Sequence, residues 1–331
     1  MIRARILLPL LSLLLATISL PAHAVDVVAT LPWIGDIATR LAPDADVTVL
    51  ARGTEDPHYL SPTPALMSKV SKADLYAEVG LSLELWSERL LDGAGNPAIR
   101  PGGAGYVRVS EGVPRLEVPT ELTRAKGDLH PDGNPHIWTD PLNAIIAADN
   151  LAAGLGRVDP ANAAAYTERA KAFRQEVYER LFGADLVGFM GGTSLEKLAR
   201  SGRLMEFLDA KGLRSRLGGW LGRARPGKKI VFYHQSWPYF IDRFGVELVG
   251  TIEDRPGVSP SAAHKQELAQ AMKARGCKLI GITSYYNDRI ARALAADTGA
   301  TVVVVPGDVG GVPEATDYFT FIDVLVDRLL Q

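Results

Sequence analysis

The sequence predicts an α/β protein of two parallel-sheet lobes joined by one long linking helix, with a ligand cleft between the lobes. Three observations carry that prediction. Short β-branched runs alternate with helix-length stretches in the first half of the chain, the same alternation returns in the second half, and the stretch between them is rich in Ala, Glu, Arg and Lys with little Gly or Ser. A length of 331 residues with 47% hydrophobic and 22% charged is enough for a large core and for two domains. Disorder, collagen and coiled coil are excluded by the same balance.

Residues 1–24 have a charged start (Arg3, Arg5), an apolar run over 6–20, and the small-x-small close Pro21-Ala22-His23-Ala24 of a secretory signal cut after Ala24. The apolar run is shorter than the roughly 20 residues a membrane span needs. No cysteine stands near the cut to accept a lipid, so the mature protein is expected to be soluble. Losing Arg3 and Arg5 turns 36 basic against 38 acidic side chains into 34 against 38, a net charge of −4. No basic surplus exists to hold a phosphate backbone, and nucleic acid is excluded as a partner.

Beyond the leader, residues 27–30 read as the first strand, with a helix over 34–41 behind Leu31-Pro32-Trp33. Residues 46–50 and 74–79 are the next two strands, while 93–105 and 117–135 read as surface loops. The linking helix covers 141–182, with a fresh helix start at Asp159-Pro160. Residues 183–226 mix glycine turns with short helical pieces and read as an insertion. Strands over 229–233, 247–250, 278–283 and 301–305 follow, with helices beginning near Gln235, Ser261, Asn287 and Glu314. The domains are thus a signal peptide at 1–24, a first lobe at 25–140, the linking helix, and a second lobe at 183–331 carrying the insertion.

One cysteine and six histidines leave any metal site a short choice of donors. Cys277 cannot pair within the chain, and its place at a strand start makes it structural. His23 leaves with the signal. His58 stands in Glu55-Asp56-Pro57-His58-Tyr59, on a strand-to-helix loop before a helix opened by Thr63 and Pro64. His136 stands in Asn134-Pro135-His136, ahead of Asp140 as N-cap and Pro141 at the first helical position. His234 ends a strand, and Asp308 follows another through Pro306-Gly307. Ligands bind beyond the carboxyl ends of strands in open α/β sheets, so His58, His234 and Asp308 face the mouth of their own lobe, and two facing lobes bring all four side chains to one cleft. The prolines beside His58 and His136 stiffen their loops and reduce the entropy lost on binding. Three imidazoles with one carboxylate suit Zn(II), whereas Mn(II) prefers more oxygen. Taken singly, a histidine is more often a surface or hydrogen-bonded group than a ligand. His130 reads as solvent-facing with metal capture as the alternative, and His264 as a surface residue.

Together, Asp56-Pro57-His58, Asn134-Pro135-His136 with Asp140-Pro141, Tyr233-His234 with Trp237-Tyr239-Phe240, and Val304-Val305-Pro306-Gly307-Asp308 resemble the metal-binding substrate-binding proteins of ABC importers. This is the zinc and manganese uptake group called cluster A-I, or solute-binding protein family 9. The resemblance spans nearly the whole mature chain and rests on the order of the four blocks. It implies a metal held between the lobes, by His58 and His136 from the first and His234 and Asp308 from the second, with no enzymatic activity. It further implies a periplasmic receptor delivering Zn(II) to an ABC permease in the inner membrane, with Mn(II) or iron as the alternative cargo. Manganese members typically carry glutamate at the third position, so His234 resembles the zinc branch. A monomer is expected, and a periplasmic metallochaperone is a further candidate partner.

The chain departs from that pattern in three places. Only His130 stands where zinc members often carry a histidine-rich loop; residues 183–226 exceed the usual connection; and 283–287 is uncharged where an acidic residue is common. Asp308 or a water is then left to complete the metal shell. The rival class is a secreted zinc hydrolase using the same histidines. Against it, the sequence has no His-Glu-x-x-His helix, and Glu55, Asp56 and Asp140 serve as turn and cap residues.

Overall fold

The computed structural model describes residues 24–120, 130–255 and 257–331, so the expected signal peptide lies outside the described residues except for Ala24. The first lobe is built from β1 (Asp26–Ala29), α1 (Pro32–Leu41), β2 (Asp46–Val49), α2 (Pro64–Val70), β3 (Leu75–Glu78), α3 (Ser87–Ala94) and β4 (Tyr106–Arg108). All pairings are parallel, in the order β2-β1-β3-β4. Central β3 is buried along its whole length, while edge strand β2 is partly exposed. Strand β4 has three residues, too few for a periodic signal, and it pairs Tyr106 with Tyr76.

Next come α4 (Pro141–Val158) and α5 (Ala163–Phe182), then α6 (Ala184–Met190), α7 (Gly192–Arg200), α8 (Leu204–Ala210) and α9 (Gly219–Arg223). The second lobe proper holds β5 (Lys229–Phe232), α10 (Pro238–Phe244), β6 (Glu247–Thr251), α11 (Ala262–Arg275), β7 (Leu279–Thr283), α12 (Arg289–Thr298), β8 (Thr301–Val305) and α13 (Tyr318–Leu330). Its parallel sheet runs β6-β5-β7-β8, the same strand order as the first.

The segment expected as one linking helix over 141–182 is two helices. Arg174 donates to Asp149 across an ion pair, although one continuous helix would hold those residues about 38 Å apart, so the chain folds back at Asp159-Pro160. Helix α4 belongs to the first lobe: a Cβ at Gly154 would come 2.3 Å from Val107 of β4, so only glycine allows this approach. The long link is α5 alone, 20 residues and about 30 Å.

The lobes are stitched at several points. Arg243 of α10 meets Asp140, the N-cap of α4, through two bonds of 2.9 Å, with side chains only 7% and 5% exposed. Trp138 donates from its indole to the Gly307 carbonyl, and Tyr318 from its hydroxyl to the Trp138 carbonyl. Gly53, on the loop after β2, lies so close to the chain after β8 that a Cβ would sit 2.0 Å from the Val309 carbonyl oxygen. One hydrophobic core accordingly runs through residues of both lobes.

Arg243→Met should leave Asp140 buried without its countercharge and cost roughly 3–5 kcal/mol in denaturant unfolding. A loss below about 1 kcal/mol would show that the pair does not hold the lobes. Glu84 gives a second prediction. Its carboxylate accepts from Thr30 Oγ1, Val79 N–H and Gly80 N–H at 2.8, 2.8 and 3.0 Å, and burial, then the charge of Glu78, pushes its pKa from the ordinary 4.5 up to about 8. A folded-state pKa above the unfolded one gives stability that is complete below pH 4.5 and lost as pH rises through about 8. Unfolding midpoints of the metal-free protein should therefore fall across that window, and Glu84→Gln should flatten the slope; an equally steep slope in the variant would refute the assignment.

Candidate metal centre

Asp56-Pro57-His58 and Asn134-Pro135-His136 fold as the same local unit. In each, the side-chain oxygen two residues before the histidine accepts from the histidine's backbone N–H, at 3.1 and 3.0 Å. The same oxygen accepts from the ring Nδ1–H, at 2.7 Å for His58 and 2.9 Å for His136. Asn134 is oriented by its amide nitrogen, which donates to Glu117 and to the Gln235 carbonyl of the second lobe, so its oxygen is the atom left for His136. An acceptor on Nδ1 puts the proton there and the lone pair on Nε2.

His234 follows β5 and reaches the same arrangement by a tertiary route. Its Nδ1 lies 2.9 Å from Glu253 Oε2, two residues past β6. Donor atoms of His58, His136 and His234 lie within 4.8 Å of one another, with ring centroids 5.3, 5.8 and 6.0 Å apart. His136 is 1% exposed, and its Nε2 is buried without a hydrogen-bond partner. Burial, then the neighbouring imidazoles, hold its pKa well below the ordinary 6.5, so the ring is neutral and its lone pair free. Three lone pairs aimed at one point make a donor set for a nitrogen-preferring divalent cation. A cavity of about 210 Å³ between Tyr59, Glu253 and Tyr286 opens onto His58 and His234.

Asp308 stands apart from that group. Its Oδ1 accepts from the N–H of Trp33, in the first lobe, at 2.9 Å and from the N–H of Val309 at 2.6 Å, and burial pushes its pKa well above the ordinary 3.8. The Trp33 N–H ties this carboxyl to the first lobe, and Asp308 is outside the group of three histidines whose donor atoms converge among the described residues. His130, expected toward solvent, is half-buried with its Nε2 3.2 Å from His58 Nε2. His264 is engaged too, with Nε2 2.8 Å from the Thr251 carbonyl. Cys277 is buried, and burial raises its thiol pKa, in keeping with a structural role.

Sequence reading missed Glu253 and took Asp56 for a turn residue only. The strand-end rule that marked His234 would also have marked Glu253, and the repeated Asx-Pro-His spacing carried the signal for Asp56 and Asn134.

Two parallel α/β lobes facing across a cleft lined with imidazoles define a two-lobed cleft binding protein. The chain belongs to the family described as zinc-uptake complex component A, periplasmic (ZnuA), whose model matches residues 27–180 and 221–331. The unmatched stretch, 181–220, runs from the end of α5 through the short helices into α9. A manganese ABC transporter substrate-binding lipoprotein, scaA of Streptococcus gordonii, is 32% identical over 157 residues, 46% of this chain and 47% of that protein. The high-affinity zinc uptake system protein ZnuA of Bacillus subtilis (strain 168) is 22% identical over 264 residues, 78% of this chain and 70% of that protein. The chain spans about half the length of the streptococcal relatives it matches. In fold it resembles a zinc-bound ZnuA deletion mutant, with a TM-score of 0.68, 22% identity, and coverage of 93% of this chain and 99% of that one.

Asp56→Ala and Glu253→Ala should each weaken Zn(II) binding by roughly 10–100-fold in chelator competition, because each frees an imidazole to turn. Affinities matching the parent protein would show that the rings are held some other way.

Proposed function

We propose that this protein is a periplasmic receptor that captures Zn(II) with high affinity and passes it to the permease of an ABC importer in the inner membrane. The observation carrying this reading is the convergence of His58, His136 and His234 from both lobes, with every Nδ1 held by an acceptor and a donor atom of each ring within 4.8 Å of the others. Membership of the zinc-uptake family supports it. Export rests on the leader at 1–24, and among the described residues no helix is long and apolar enough to cross a membrane. Release in soluble form after a cut near Ala24 belongs to the same proposal, in contrast to the relatives named lipoproteins.

Nitrogen donors favour Zn(II) over Mn(II), which takes carboxylate and water oxygen. The nearby carboxylates are engaged, Asp56 and Glu253 by imidazoles and Asp308 by backbone amides. None is free to act as a general base, so the protein binds and releases without transforming its cargo. Because the lobes are tied by Arg243 and Asp140, release proceeds by movement of the His58 loop rather than by wide opening.

Competition of Zn(II) against Mn(II) on the purified protein tests the cargo, and His234→Ala tests the site. Zinc should win, and the variant should lose more than roughly 100-fold in zinc affinity, beyond the cost of an outer partner. Preference for Mn(II) would overturn the zinc reading, and an unchanged variant would overturn the ligand set.

A further inference from the structure

We propose that His130 supplies a fourth imidazole to the same cation, so that four histidines close the site in place of Asp308 or water. The inference rests on the zinc reading above. His130 Nδ1 lies 3.1 Å from the Ser82 carbonyl oxygen, and a carbonyl can only accept, so Nδ1 carries the proton and Nε2 the lone pair. His58 is fixed in the same tautomer by Asp56. Two lone pairs therefore face each other across 3.2 Å, an approach that neutral rings tolerate only with a cation or a shared proton between them. Tetrahedral zinc with Zn–N bonds of 2.0–2.1 Å places its nitrogens about 3.3 Å apart, which matches this spacing.

The ring positions agree. His130 lies 5.2 Å from His58 and 6.3 Å from His136 between centroids, against 5.3 to 6.0 Å among the other three rings. Its donor atom is not within 4.8 Å of all three others, so a bound ion draws it inward from the His58 side. The carbonyl that aims it sits in a strained turn: Leu81 and Ser82, neither of them glycine, have φ of 53° and 60°. That turn is held from beneath by Glu84, which accepts from Val79 and Gly80 N–H. An all-imidazole tetrahedron also excludes Mn(II) more strongly than three imidazoles and a water would.

The test uses the whole mature protein with Zn(II) alone as probe. X-ray absorption at the zinc edge should count four imidazoles in the parent and three in His130→Ala. Chelator competition should show His130→Ala weaker by at least roughly 10-fold, the least that loss of even an outer partner costs. Three imidazoles in the parent, or unchanged zinc affinity in His130→Ala beside clear losses in His58→Ala, His136→Ala and His234→Ala, would overturn the fourth donor and leave the zinc reading intact. Unchanged affinity in all four variants would overturn both.

Discussion

The bond between Asp140 and Arg243 is the constraint on which the rest of the molecule depends. Asp140 accepts both arms of the guanidinium at 2.9 Å and, through Oδ1, also caps α4 at the Leu142 N–H. His136 lies four residues before Asp140, and His234 lies four before Pro238, which opens the helix that carries Arg243. One buried carboxylate thus ties the start of α4 to the last turn of α10, and each helix lies just downstream of a histidine. A guanidinium this buried is stable only with its partner in place, so the pair ties the first lobe to the second.

Asn134 repeats the device nearer the site. Its oxygen holds His136, its amide reaches Gln235 next to His234, and its carbonyl accepts from Tyr239 of α10. Trp33 and Trp138 stack at 5.9 Å beneath His136, joining that loop to the first strand's end. The imidazoles are therefore held by contacts that the protein itself supplies. Preorganisation of this kind removes most of the ordering cost from binding, which suits capture at low concentration.

Much of this was legible in the chain itself. Strands such as β1, β5 and β8 declared themselves by β-branched runs, and Asp140-Pro141 and Thr63-Pro64 marked helix starts that the structure caps as expected. His58, His136 and His234 stood out because they flank strand ends and prolines, features that depend on neighbours in sequence. The fold-back at Asp159-Pro160 was visible as a fresh helix start, yet its direction was not, since Arg174 meets Asp149 only after the chain has turned.

Local chemistry, then, is what the sequence by itself determined: which segments are strands, which loops are stiff, and which side chains can donate to a metal. Only the tertiary structure decided how those donors are deployed. Asp308 obeys the strand-end rule as well as His234 does, and only the packed lobes bring Trp33's N–H to its carboxyl across 275 residues of chain. Glu253 and His130 become partners of His234 and His58 across 19 and 72 residues of chain, separations over which no periodicity or spacing rule acts. Pairings of that range are settled by how two lobes pack, and packing follows the whole buried surface rather than any one motif.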